Sequence, residues 1–293
     1  RRRYSRPEGG TVSDRDAVLI TAEQLMDQLA GAHPPAFLDV RWRLDQPDGR
    51  ETYLAGHVPG AVYVALEDEL SDHARTGLGR HPLPTSAALQ AAARRWGLRS
   101  DRPVVVYDDW NRAGSARAWW VLTAAGMDDV RILDGGLAAW IAAGGEVQAG
   151  PVNPPAGDVA VRHDDLYCGG RPVLTADEVS HGAARTVLDA RAPERFRGEV
   201  EPVDPVAGHI PGARNLPSLS VLGPDGRFLP HDRITALVDR TGPSVGVYCG
   251  SGVTAAVVLA ALTIVGIDGA LFPGSWSQWS AEDRPVEQGP GKA

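Results

Sequence analysis

Short apolar runs alternate along this chain with stretches in which apolar residues recur every three or four positions. Ala36 to Val40, Pro103 to Tyr107 and Val130 to Leu133 are continuous and rich in β-branched residues. That pattern predicts strands buried on both faces of a sheet. Between them, Thr85 to Trp96, Ser115 to Ala125 and Leu137 to Ala142 carry helical spacing. Thr85 or Ser86 is suited to cap the first of these helices, and Gly126 to close the second. Strands alternating with helices predict an α/β fold in which a mostly parallel sheet is flanked by helices.

The pattern occurs twice. Phe37-Leu38-Asp39-Val40-Arg41 matches Val187-Leu188-Asp189-Ala190-Arg191, and Gly56-His57-Val58-Pro59-Gly60-Ala61 matches Gly208-His209-Ile210-Pro211-Gly212-Ala213. Val104 to Asp108 matches Val245 to Cys249, and Gly135 to Trp140 matches Gly274 to Trp279. The order is kept while the spacing shrinks along the chain, and a period of roughly 150 residues means duplicated domains, not a solenoid. Gly144 to Pro172 is rich in Gly and Pro, as a linker is. The expected units are therefore 12–145, a linker 146–172, and 173–293.

Composition narrows the function. The chain has 293 residues, 43% of them apolar and 23% charged, with a net charge of −8. This is a globular balance, and the acidity argues against a nucleic-acid partner. No apolar run reaches membrane-spanning length. The basic Arg1 to Arg6 leads into Pro7-Glu8-Gly9-Gly10, which reads as a disordered tail and not a signal peptide. Cys168 and Cys249 are the only cysteines, too few for a disulfide framework, so a reducing cytoplasm is the expected location. The eight histidines show no metal-ligand spacing and no nucleotide motif occurs, so no metal or cofactor is expected.

Cys249 stands out against this background. The run Val245-Gly246-Val247-Tyr248 ends on it, Gly250-Ser251-Gly252-Val253-Thr254 turns the chain, and an apolar helix begins at Ala255. A thiol at a strand end, facing amides at a helix N-terminus, is placed to ionise and to react. The bland alternative is a buried small hydrophobe, and that reading suffices for Cys168. In the first repeat the matching position is Asp108, followed by Asp109-Trp110-Asn111-Arg112, so only the second repeat carries a nucleophile. A cysteine phosphatase needs Arg six residues after the thiol, where this chain has Ala255. A cysteine protease needs a His base, but His57 and His209 sit in equivalent turns. A C-x-x-C redox pair is absent. Sulfur transfer needs only a thiolate and amides to hold a persulfide.

These residues carry a resemblance. From about Val18 to Glu287 the chain resembles the two-domain rhodanese sulfurtransferases, through Leu38-Asp39-Val40-Arg41, both Gly-His-x-Pro-Gly-Ala turns, Asp134-Gly135-Gly136, Arg195-Phe196-Arg197-Gly198, Cys249 to Ala255, and Gly274-Ser275-Trp276-Ser277-Gln278-Trp279. The resemblance implies two tandem rhodanese-like domains, the second catalytic, with the site in the cleft between them. It implies that Cys249 takes a sulfane sulfur from thiosulfate or 3-mercaptopyruvate and passes it to cyanide, a thiol or a protein thiol. Arg195 would bind the small anionic donor, and Gly250, Ser251, Gly252, Val253 and Thr254 would cradle the persulfide. The uncharged Gly-Ser-Gly matches mercaptopyruvate-using members. Such members often have a second Arg after a Glu-Pro pair, but here Glu201-Pro202 leads into Val203-Asp204-Pro205, so thiosulfate stays open. The resemblance also suggests a proton relay of Ser251, His57 and Asp48, unless His57 merely anchors its turn as His209 does. Asp39–Arg41 and Asp189–Arg191 recur in both halves and read as ion pairs. Trp42, Trp110 and Trp276 are candidates for the cleft wall or the core. The alternative to an enzyme of small donors is a relay module that hands its persulfide to one protein partner.

Overall fold

The computed structural model describes residues 14–291 apart from 32, 240 and 243; the basic tail Arg1 to Gly10 lies outside the described residues. Among the described residues nine strands form two sheets. In the first half they are β1 (Leu19–Ile20), β2 (Ala36–Asp39), β3 (Val62–Tyr63), β4 (Val104–Tyr107) and β5 (Val130–Leu133), in the order β1-β5-β4-β2-β3. In the second they are β6 (Thr186–Asp189), β7 (Arg214–Asn215), β8 (Val245–Tyr248) and β9 (Ala270–Leu271), in the order β7-β6-β8-β9. Every pairing between these strands is parallel. The repeat extends to the register: Asp39 lies opposite Tyr107, and Asp189 opposite Tyr248.

The central strands β4 and β8 are buried at all four positions, because helices cover both faces of each sheet and leave no side for polar alternation. The predicted caps form. Thr85 Oγ1 accepts from the Ala88 amide at 3.2 Å, and Gly126 follows the helix Ala113–Ala124 with φ +92°, a left-handed conformation that glycine adopts without strain.

The two helices that follow β4 and β8, Ala113–Ala124 and Ala255–Ile264, pack against each other across the boundary between the halves. Both are apolar on nearly all sides, so burial against one another is the favourable arrangement. One continuous core runs through both sheets, including Val106, Trp120 and Leu122 from the first and Val247, Val257 and Leu262 from the second. Arg15 donates to the carbonyls of Phe228 and Leu229, and Asp134 accepts from the Phe228 amide at 2.8 Å, which ties the rim. Among the described residues no helix is long and apolar enough to cross a membrane, and no cluster of three or more His, Cys, Asp or Glu is arranged to hold a metal ion.

The recurring Asp and Arg do the same work in each half. Arg41 Nη2 donates to Asp39 Oδ2 at 2.8 Å and to the Gly56 carbonyl at 2.6 Å. Arg191 Nη2 donates to Asp189 Oδ2 at 2.7 Å and to the Gly208 carbonyl at 2.6 Å. Each buried pair locks a strand end to the Gly-His turn that follows it.

Candidate active site

Cys249 is the first residue past β8. Its loop closes because Gly252 has φ +81°, and a Cβ there would stand 2.5 Å from the Pro273 carbonyl oxygen, so a side chain is excluded by both conformation and space. The turn folds the Gly252 amide back, and it donates to Cys249 Sγ at 3.1 Å. Among the described residues the Ser251, Val253 and Thr254 amides find no protein acceptor, and they precede the positive end of the helix Ala255–Ile264. The Gly274 to Trp279 motif buttresses the loop from behind. Cys249 N–H donates to Ser275 Oγ at 3.1 Å, and the Cys249 and Gly250 carbonyls accept from the Trp276 and Ser277 amides at 3.0 and 2.9 Å.

The thiol-bearing residue is only 2% exposed, at the base of a cavity of about 410 Å³ walled by both halves. The second half supplies Arg195, Gly250, Ser251, Val253 and Thr254, with Gly252 behind them; the first half supplies Trp42, Leu44, Arg80 and Trp110. Trp42 and Trp110 thus take the cleft-wall role. Trp276 is core: it is fully buried, with Nε1 donating to the Val206 carbonyl at 2.9 Å.

Arg195 sits in an acidic frame. Its Nη2 donates to Glu201 Oε1 at 2.7 Å and to Asp204 Oδ2 at 3.5 Å, and Arg80 donates to the other oxygen of Asp204. Burial alone would raise the Glu201 carboxyl, but hydrogen bonds from Arg195 and two backbone amides bring it below the usual range. For Asp204, burial outweighs the nearby Arg80 and pushes the carboxyl up.

The structure does not bring His57 and Asp48 to Ser251. Neither lines the cavity. His57 Nδ1 lies 2.9 Å from the Tyr53 carbonyl oxygen, and its ring stacks on Tyr53 at 4.1 Å. His209 repeats this with Phe196, at 2.7 Å and 3.8 Å. Asp48 accepts from Tyr63 Oη and the Arg50 amide. His57 therefore anchors its turn, and the relay of Ser251, His57 and Asp48 is not assembled. Its amide and carbonyl are already engaged with Gln148, which fixes the turn against the first half.

Three residues at the cleft went unnoticed in the sequence. Arg80 is one. Its neighbour His81 is buried, with Nε2 2.9 Å from Glu67 Oε1, and Trp42 donates to the same oxygen. Burial lowers the His81 ring, leaving a neutral imidazole beside the cavity wall. Arg117, on the helix Ala113–Ala124, is fully buried and donates only to carbonyls, those of Leu70, His81 and Gly252. Desolvation brings it down to about 10, still charged at neutral pH, so a cation of the first half lies under the cysteine loop of the second. The available signal was absence from the repeat: the His57 turn recurs, whereas His81 stands alone.

Both halves match the family model described as "Rhodanese-like domain", over residues 21–143 and 175–282. The Mycobacterium tuberculosis protein named "Putative thiosulfate sulfurtransferase SseB" is 62% identical over 280 residues, covering 94% of this chain and 98% of that protein. A Pseudomonas aeruginosa protein named "Probable 3-mercaptopyruvate sulfurtransferase" is 46% identical over 284 residues, covering 93% and 99%. The crystal structure of SseA from Escherichia coli, described as a 3-mercaptopyruvate sulfotransferase, superposes with a TM-score of 0.74 at 32% identity, covering 88% of this chain and 98% of that one.

Proposed function

The chain belongs to the rhodanese-like family and is a sulfurtransferase, and from that premise we propose that Cys249 is its sulfur carrier. The Cys249 thiolate attacks the outer sulfur of thiosulfate or the thiol sulfur of 3-mercaptopyruvate. With thiosulfate the S–S bond breaks and sulfite leaves; with 3-mercaptopyruvate the C–S bond breaks and pyruvate leaves after protonation of its enolate. The persulfide then yields its outer sulfur to cyanide, a small thiol or a protein thiol, which regenerates the thiolate and makes the cycle ping-pong. Arg195 holds the donor's anionic group, and the amides of Gly250 to Thr254 stabilise the anion on sulfur. The catalytic unit of this reading is 173–293, the first unit 12–145 serves as the facing wall, and 146–172 joins them.

The observation that carries the proposal is the Gly252 amide aimed at Cys249 Sγ inside a cavity that also holds Arg195. Mass spectrometry after donor treatment tests it: one added sulfur on the peptide that holds Cys249 supports the reading, and modification elsewhere or none overturns it. A protein acceptor is favoured by one further feature. Leu44, Trp110 and Leu219 line the cavity yet are 48%, 49% and 57% exposed, an apolar rim larger than cyanide needs. Transfer to cyanide that outpaces transfer to protein thiols at equal concentration argues against this second reading.

A further inference from the structure

Two cations from different halves of the molecule meet beside the nucleophile. The nitrogens closest to where a Gly250 side chain would begin are Arg80 Nη2 and Arg195 Nη1, at 3.3 and 3.5 Å. One carboxylate, Asp204, accepts from both guanidiniums, at Arg80 Nη1 and at Arg195 Nη2, the latter 3.6 Å from the same Gly250 position. Glu201 holds Arg195 a second time at 2.7 Å. Arg80 Nε is buried without a hydrogen-bond partner, so this cation is not fully satisfied by the protein. The formal charges of Arg80, Arg195, Glu201 and Asp204 cancel.

We propose that Asp204 is a specificity-determining residue that fixes Arg80 and Arg195 as a cradle for a single negative charge, selecting a carboxylate donor of the 3-mercaptopyruvate class over the thiosulfate dianion. The two projecting nitrogens match the two oxygens of one planar carboxylate. The second charge of a dianion meets Glu201 and Asp204, the two carboxylates that already neutralise this pair of arginines. Arg80 enters from the opposite half to supply the second cation beside Arg195. The inference rests on the reading of Cys249 as the sulfur carrier.

The test compares kcat/KM for thiosulfate and 3-mercaptopyruvate, with cyanide as acceptor, in the wild type, Asp204→Asn and Arg80→Gln. Removing one negative charge raises the thiosulfate-to-mercaptopyruvate ratio about tenfold, and removing one positive charge lowers it by a similar factor. General loss of structure moves both donors alike and leaves the ratio in place. Ratios that stay within about twofold of wild type, or that shift in the same direction in both variants, overturn the assignment. Should Asp204→Asn fail to fold, Arg80→Gln carries the test alone. Turnover that survives in Cys249→Ala strikes the underlying reading instead.

Discussion

The loops after β4 and β8 are copies of one turn with opposite contents. In the first, Asp108 takes up the amides around it: its carboxylate accepts from the backbone of Trp110, Arg112 and Ser115 and from Ser115 Oγ, and it pairs with buried Arg112 at 3.0 Å. In the second, the shorter Cys249 side chain receives one amide, and a cavity lies over the rest. The anion cradle is therefore common to both halves. One half has filled it with its own carboxylate, and the other leaves it open to the cavity, where the proposed persulfide would form. A side chain that satisfies the cradle permanently cannot also be a carrier.

The comparison breaks most sharply at the two strand ends. Cys249→Ala lowers sulfur transfer to background, a drop of at least about a thousandfold in kcat, with the urea midpoint unchanged, since the loss is chemical. Asp108→Ala does the reverse. It strands Arg112 as a buried unpaired charge and costs about 3–5 kcal/mol in urea unfolding, while kcat at a temperature where the protein stays folded remains near wild type. Arg117→Met links the two effects, because three carbonyls lose their donor, one of them on the cysteine loop. We expect a loss of about 2–3 kcal/mol together with a lower kcat, and an unaltered kcat would separate the loops energetically. His57→Asn removes a turn anchor, costs about 1 kcal/mol, and changes both donors equally; selective loss of 3-mercaptopyruvate turnover would restore the relay.

The smallest effect is a pH dependence. Burial alone would raise the Glu67 carboxyl, but hydrogen bonds from His81 and Trp42 hold it at about 2. A carboxyl depressed in the folded state stabilises the fold above its unfolded value of 4.5, and that contribution fades as pH falls from there toward about 2. Glu67→Gln flattens this stretch of a stability-against-pH curve, and an unchanged slope would mean that other carboxylates carry it.

How legible the molecule was differs between local and long-range features. The strands were readable because Val104 to Tyr107 is apolar without a break, and the cysteine loop because its glycines have a steric reason at Gly252. The Asp39–Arg41 pair was readable because it recurs. Arg80 and His81 were not, since they lie in an irregular segment whose partners, Asp204 and Glu67, come from distant positions and, for Arg80, from the other half. His57 misled because a shared turn suggested a shared role. The duplicate at His209, which stacks on Phe196 in the equivalent turn, held the answer: a residue needed twice for shape is a weak candidate for chemistry done once.

One consequence of the paired helices concerns the history open to such a chain. Every residue of Ala255–Ile264 except Thr263 is buried, much of it against the partner helix of the first half. The two copies of the fold share one core. A chain cut after residue 172 would leave the cysteine-bearing half with a greasy helix facing water, a face that favours aggregation. The half without a thiol is then not a relic that selection has neglected to remove. It covers the apolar helix of the other half, so deleting one copy exposes a face that the pair keeps dry.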